Sequence, residues 1–156
     1  MLTMIDKKML RIALFGAVLG ISSSSFAVDI PISTSELVQQ SGYQQTWQKM
    51  VKGQKNLPVW ARKGAGTSSP PEWVTWQGKK YQIGNICKPH DCANNFMYVA
   101  FSSDKKQAWG VRVEITDTPD ALEHPSKYAK YQWLGKPNEQ VKAMLTNQIE
   151  SKPDWK

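Results

Sequence analysis

"NNFMYVAFSSDKKQAWGVRVEIT", residues 94–116, decides the fold of this chain. From Phe96 to Phe101 the run is apolar on both alternating faces, the pattern of a central strand that is covered from two sides. After the polar turn at Asp104 to Lys106 the pattern alternates, with Val111, Val113 and Ile115 facing one way and Arg112 and Glu114 the other. Two strands joined by a short polar turn read as an antiparallel hairpin. A strand buried on both faces needs cover on both, and the flanking segments have to supply it.

Toward the C-terminus, "KYAKYQWLG" (127–135) reads as a further strand. "PNEQVKAMLTNQIE" (137–150) reads as an amphipathic helix, with Val141, Met144, Leu145 and Ile149 on one face. Toward the N-terminus, "EWVTWQ" (72–77), a turn at Gly78 and "KKYQIGNIC" (79–87) form a second hairpin, preceded by the loop "GAGTSSPPE" (64–72). Upstream of it lie three helical segments. "STSELVQQ" (33–40) has Ser33 or Ser35 as its N-cap, and "YQQTWQKMVKG" (43–53) places Trp47, Met50 and Val51 on one face and closes at Gly53. "LPVWARKG" (57–64) is bounded by Pro58 and Gly64. Helices, then strands, then a helix predict an α+β fold: an antiparallel sheet of about five strands sandwiched by helices.

The first residues carry a different signal. Lys7, Lys8 and Arg11 precede an apolar run from Ile12 to Ile21, and Ser25 and Ala27 offer small side chains for a cut near Ala27. That run is about half of the roughly 20 residues a spanning helix needs. Residues 1–27 are therefore expected to be a secretory signal peptide, with 28–156 as a single exported domain and no membrane span. Loss of Lys7, Lys8 and Arg11 together with Asp6 lowers the formal charge from +7 to +5. Export also places the two cysteines in an oxidising compartment, where they are expected to pair.

"NICKPHDC" (85–92) contains both cysteines, Cys87 and Cys92, enclosing Lys88, Pro89, His90 and Asp91. So small a ring stabilises a fold by only about 2 kcal/mol, so shaping the enclosed residues is its more plausible use. Cys87, His90, Asp91 and Cys92 are potential metal ligands, but a zinc site draws its pairs from separated segments and this loop is too short to wrap a tetrahedron. Four residues between the cysteines also depart from the two of a thiol redox motif. No metal and no cofactor is expected. A bridged loop with a proline has little freedom to lose on docking, which spares part of the roughly 0.5–1.5 kcal/mol ordering cost of each side chain. A hairpin merely stapled against fraying remains the competing reading.

Enzymatic chemistry finds little support. "GTSSP" (66–70) is not a nucleophile elbow, and His124 before Pro125 reads as a loop histidine. Asp117, Asp120 and Glu123 read as solvated loop or cap residues rather than a glycosidase pair. Nucleic acid is a poor ligand for an exported chain without a clustered basic stripe. Of the seven tryptophans, Trp47, Trp60 and Trp109 suit the core, which leaves Trp73, Trp76, Trp133 and Trp155 as possible stacking platforms for a sugar. They keep open an alternative: an envelope protein that binds peptidoglycan or restrains the cell's own lytic wall enzymes.

"CKPHDC" (87–92), preceded by "YQIGNI" and by "NLPVWARKGAG" (56–66), resembles the Ivy family, the periplasmic bacterial inhibitors of vertebrate lysozyme. The similarity runs from about Tyr43 onward. It implies an antiparallel sheet between helices, with a protruding disulfide-closed loop that plugs the active-site cleft of C-type lysozyme. Carried over residue by residue, His90 bonds the catalytic carboxylates, Cys87 and Cys92 hold the loop, and Lys88, Pro89 and Asp91 shape its surface. The resemblance further implies a periplasmic protein, not an enzyme, that protects peptidoglycan and contributes to virulence; it does not decide between a role in host defence and control of the cell's own wall enzymes. Homodimers occur in the family. It also implies a basic partner, which a chain of charge +5 should repel at long range.

Overall fold

A computed structural model of the chain describes residues 30–156. The expected signal peptide, residues 1–27, lies outside the described residues. Three short helices come first: α1 (Thr34–Gln39), α2 (Tyr43–Val51) and α3 (Val59–Lys63). Ser33 caps α1 through a complete capping box, its hydroxyl accepting from the Glu36 amide while the Glu36 carboxylate accepts from the Ser33 amide at 2.7 Å. The helix α3 follows Pro58 and stops at Gly64, whose φ of 62° is the left-handed conformation a helix end favours.

The strands are β1 (Thr67–Ser68), β2 (Glu72–Trp76), β3 (Lys79–Cys87), β4 (Asn95–Ser102), β5 (Ala108–Ile115) and β6 (Ala129–Leu134). They form one antiparallel sheet in the order β1-β3-β4-β5-β6, with β2 also paired to β3. Between β5 and β6 lie α4 (Pro119–Glu123) and α5 (Pro125–Tyr128), and α6 (Glu139–Glu150) closes the chain after the Asn138 cap.

The apolar run in β4 has the predicted consequence. Met97, Val99 and Phe101 face α1, α2 and α3, where they join Leu37, Val38, Trp47, Met50 and Ala61 in one core cluster. Phe96 and Ala100 face the other way, into a second cluster with Val111, Val113 and the α6 residues Val141, Met144, Leu145 and Ile149. Burying one such large side chain contributes about 1.5–3 kcal/mol, so both helical layers are held mainly by this strand and its neighbours.

The structure adds to the sequence reading in several places. The sheet has six strands rather than five, because Thr67 and Ser68, inside the expected 64–72 loop, pair with Cys87 and Ile86. Two residues carry no periodicity, so β1 has no sequence signal. The last strand starts at Ala129 instead of Lys127, since Pro125 opens a helical turn. Asp120 and Glu123 lie in α4, which Thr118 caps by accepting from the Ala121 amide, and Asp117 precedes it; all three acids are exposed. His124 is exposed where α4 passes into α5.

The tryptophans divide differently from the expectation. Trp47 is buried as predicted, while Trp60 and Trp109 are half-buried at the margins of the clusters. Trp76, Trp133 and Trp155, expected as surface platforms, pack against the second cluster. Only Trp73 among the four stands out into solvent, with 53% of its surface exposed. A row of stacking platforms is therefore absent among the described residues.

Candidate functional site

The loop between β3 and β4 is anchored on the two interior strands. It stands at the end of the sheet and not at its edge, between strands that each have a neighbour on both sides. Cys87 is the last residue of β3 and lies opposite Phe96 across the ladder. A disulfide joins it to Cys92, with 4.9 Å between the two α-carbons. Both sulfurs are thus covalently committed to each other in the ring.

Behind the bridge the support is apolar. Phe96 is buried, and Trp155 meets its ring edge-on with centroids 6.1 Å apart. The Lys152 ammonium sits 3.8 Å from the Phe96 ring centroid. Burial holds that lysine below its usual pKa, while nearby Asp154 acts in the opposite direction. On the other side β1 approaches closely, and glycine at position 66 permits it: a Cβ there would run into the Cys87 carbonyl oxygen.

Within the ring, Lys88 to Asp91 form a β-turn in which the Asp91 amide donates to the Lys88 carbonyl at 3.0 Å. Pro89 occupies the second position and His90 the third, with φ of 65°. Proline followed by a positive φ is the type II pattern, in which glycine or asparagine usually takes the third place. A histidine tolerates this conformation better than a β-branched residue does, yet remains uncommon there. The His90 side chain is exposed, and among the described residues it has no hydrogen bond or ion pair. Lys88 and Pro89 are exposed beside it.

Asp91 points back to the ring and its base. Its Oδ2 accepts from Lys88 Nζ at 2.9 Å and from Asn95 Nδ2 at 2.8 Å. The Lys88 bond foremost, with help from Asn95, holds the Asp91 carboxyl below the ordinary carboxylate range despite some desolvation. The backbone closes the loop twice more, Lys88 N–H donating to the Asn95 carbonyl at 2.9 Å and Asn95 N–H to the Asp91 carbonyl at 3.0 Å.

All six residues singled out in sequence, Cys87 to Cys92, are therefore assembled in one place. Asn95 and Arg112 belong to the same construction and were not singled out. Arg112 Nη2 donates to Asn95 Oδ1 at 3.4 Å and to Glu114 Oε2 at 2.7 Å. In the sequence Arg112 reads only as one of the polar residues, with Glu114, that alternate with the valines of β5. The acidic residues 117, 120 and 123 and His124 are not part of the ring.

Comparison with known proteins gives a coherent picture. The family model described as inhibitor of vertebrate lysozyme (Ivy) matches residues 42–151. A protein of Pseudomonas aeruginosa named inhibitor of vertebrate lysozyme is 42% identical over 150 residues, 96% of this chain and 97% of that one. The Escherichia coli protein of the same name is 30% identical over 146 residues, covering 88% of this chain and 86% of its own. An uncharacterised Yersinia pestis protein is 58% identical over 140 residues, 87% of this chain and 91% of that protein.

Proposed function

The chain belongs to the Ivy family, and on that premise we propose that it inhibits C-type lysozyme by inserting the Cys87–Cys92 loop into the active-site cleft. The observation that carries this reading is His90, exposed and without a partner at a positive φ, in a ring closed by covalent and hydrogen bonds. An uncommon backbone conformation that a protein maintains without using the side chain internally is a reason to look for an external partner.

Lysozyme-type hydrolysis uses one protonated carboxyl as acid and one ionised carboxylate as nucleophile or stabiliser. An imidazole placed between them has two ring nitrogens with which to meet both groups. It would occupy the position of the scissile sugar and exclude water, with no bond made or broken and no turnover. Lys88 and Pro89 would fill the cleft on either side. Because the ring is closed before docking, little conformational entropy is lost on insertion.

The same reading includes export: residues 1–27 act as a signal peptide cut near Ala27, and residues 28–156 work as one domain in the periplasm, between an incoming lysozyme and the peptidoglycan. The glycan-binding alternative is weakened because Trp76, Trp133 and Trp155 pack inward.

The test is the clearing of a bacterial wall suspension by hen lysozyme, with wild-type protein, His90→Ala and a reduced sample compared. Wild type is expected to stop clearing and His90→Ala to allow it. Full inhibition by His90→Ala would overturn the loop mechanism. Absence of inhibition by wild type would move the function to endogenous wall enzymes or glycan.

A further inference from the structure

We infer that Asn95 is a positioning residue for the inhibitory loop, holding Asp91 through a side-chain amide whose orientation is fixed by Arg112. This rests on the loop being the lysozyme-binding element. The argument begins with what each group is able to do. A guanidinium only donates hydrogen bonds, and an ionised carboxylate only accepts them. The Asn95 amide lies between one of each, its Oδ1 3.4 Å from Arg112 Nη2 and its Nδ2 2.8 Å from Asp91 Oδ2. Flipping the amide would set oxygen against oxygen and donor against donor, so one orientation is selected.

The selecting group is itself held. The Arg112 side chain is 12% exposed and ion-paired to Glu114 at 2.7 Å. Its Nη1 donates to Gln132 Oε1 at 3.4 Å, and Gln132 Nε2 donates to the Lys55 carbonyl at 3.0 Å, between α2 and α3. Arg112 Nε is buried without a partner. Keeping an unpaired N–H there is unfavourable, and an aliphatic residue would avoid it. Holding the Asn95 amide is a function that such a residue lacks.

On the loop side the consequence is local. Asp91 is the fourth residue of the turn in which His90 is the third, and Lys88, the first, is ion-paired to the same Asp91 oxygen. Fixing that carboxylate from below orients the turn that carries His90. The disulfide limits how far the ring opens; Asn95 sets which way its outer edge leans.

The experiment uses wild type, Asn95→Ala, Asn95→Asp and His90→Ala, all with the disulfide intact. Asn95→Asp keeps the shape and the acceptor for Arg112 while losing the donor to Asp91. Two measurements are made: hen lysozyme affinity by calorimetry, and backbone amide spectra with relaxation in the free protein. Melting temperatures are recorded alongside to identify any variant that fails to fold. Both Asn95 variants are expected to bind roughly tenfold more weakly, the scale of one lost hydrogen bond to a charged group. Their Lys88 to Asp91 amides should shift and gain fast motion, with the α6 amides unchanged.

Asn95→Asp binding as tightly as wild type, with rigid loop amides, would overturn the inference. If His90→Ala still loses affinity in that case, the inhibitory reading survives. If instead wild type and His90→Ala fail to bind lysozyme alike, the inhibitory reading fails. The free-protein loop spectra then decide on their own whether Asn95 orients the ring.

Discussion

The β3–β4 loop and the β4–β5 turn lie at opposite ends of β4 and share some of their backbone features. Each has a turn closed by an i to i+3 bond, from Asp91 N–H to the Lys88 carbonyl in one and from Lys105 N–H to the Ser102 carbonyl in the other. Each puts a residue other than glycine at positive φ, His90 at 65° as the third residue of its turn and Lys105 at 62° as the fourth of the other. Each uses an aspartate as internal acceptor. They differ in where the unusual residue is spent. The Lys105 carbonyl accepts from the buried Thr46 hydroxyl at 2.6 Å, and its ammonium lies 4.8 Å from the Tyr43 ring centroid. The His90 side chain is exposed and has no hydrogen-bond or ion-pair partner among the described residues. One turn fastens sheet to helix, and the other leaves its positive-φ side chain in solvent. Positive φ alone does not distinguish them; the tertiary contacts of the side chain and carbonyl do.

The sharpest way to break this comparison is to truncate both residues. His90→Ala should weaken lysozyme inhibition about a hundredfold with an unchanged melting temperature, the behaviour of a hot spot that the free protein does not use. Lys105→Ala should leave inhibition as it is. Equal effects of the two on inhibition would erase the distinction.

Removing the bridge comes next. A Cys87→Ser, Cys92→Ser double variant should bind about tenfold more weakly, because an open ring must be ordered on docking. Its stability should fall by about 2 kcal/mol, the estimate for so short a loop. Inhibition constants and denaturant midpoints measure the two effects separately. A stability loss without an affinity loss would make the loop a staple.

Thr46→Val sharpens the comparison from the other end. It keeps the volume and removes the hydroxyl that meets Lys105, so stability should drop by about 1 kcal/mol, a few degrees in melting temperature, with inhibition unchanged. Acid titration probes both turns together. Asp91 is held below the ordinary value of 3.8 chiefly by Lys88, and Asp104 chiefly by the Ser102 hydroxyl. Both carboxyls bind protons less readily when folded, so their stabilisation is complete above about pH 4 and is lost as pH falls through their depressed values. Asp91→Asn and Asp104→Asn should each flatten the acid side of the stability curve. A curve equally steep in both variants would assign it to other carboxylates.

The smallest expected effect is on encounter. With a net charge of +5 after removal of residues 1–27, the protein should associate faster with a basic lysozyme as salt rises from low values, because the salt screens their repulsion. Stopped-flow association rates measure this. A steady fall with salt would show that charges near the loop dominate.

The sequence by itself determined the larger elements and the ring, though not the short β1, α4 and α5. Periodicity in 94–116 marks two strands of which the first needs cover on both faces, and the spacing of Val141, Met144, Leu145 and Ile149 marks a helix that supplies it. Six consecutive residues from Cys87 to Cys92 carry the candidate site because both cysteines and the turn chemistry are local. What required the tertiary structure was every feature made by residues far apart in the chain. Strand β1 exists only because Cys87 and Ile86 are there to pair with it. Trp133 and Trp155 are inward-facing only once α6 and the C-terminal segment pack on the sheet. The amide of Asn95 acquires its orientation from an arginine on the neighbouring strand. Local pattern encodes which backbone a segment adopts, because its energy depends on neighbours in sequence. The partner of a side chain depends on neighbours in space, which only the folded chain brings together.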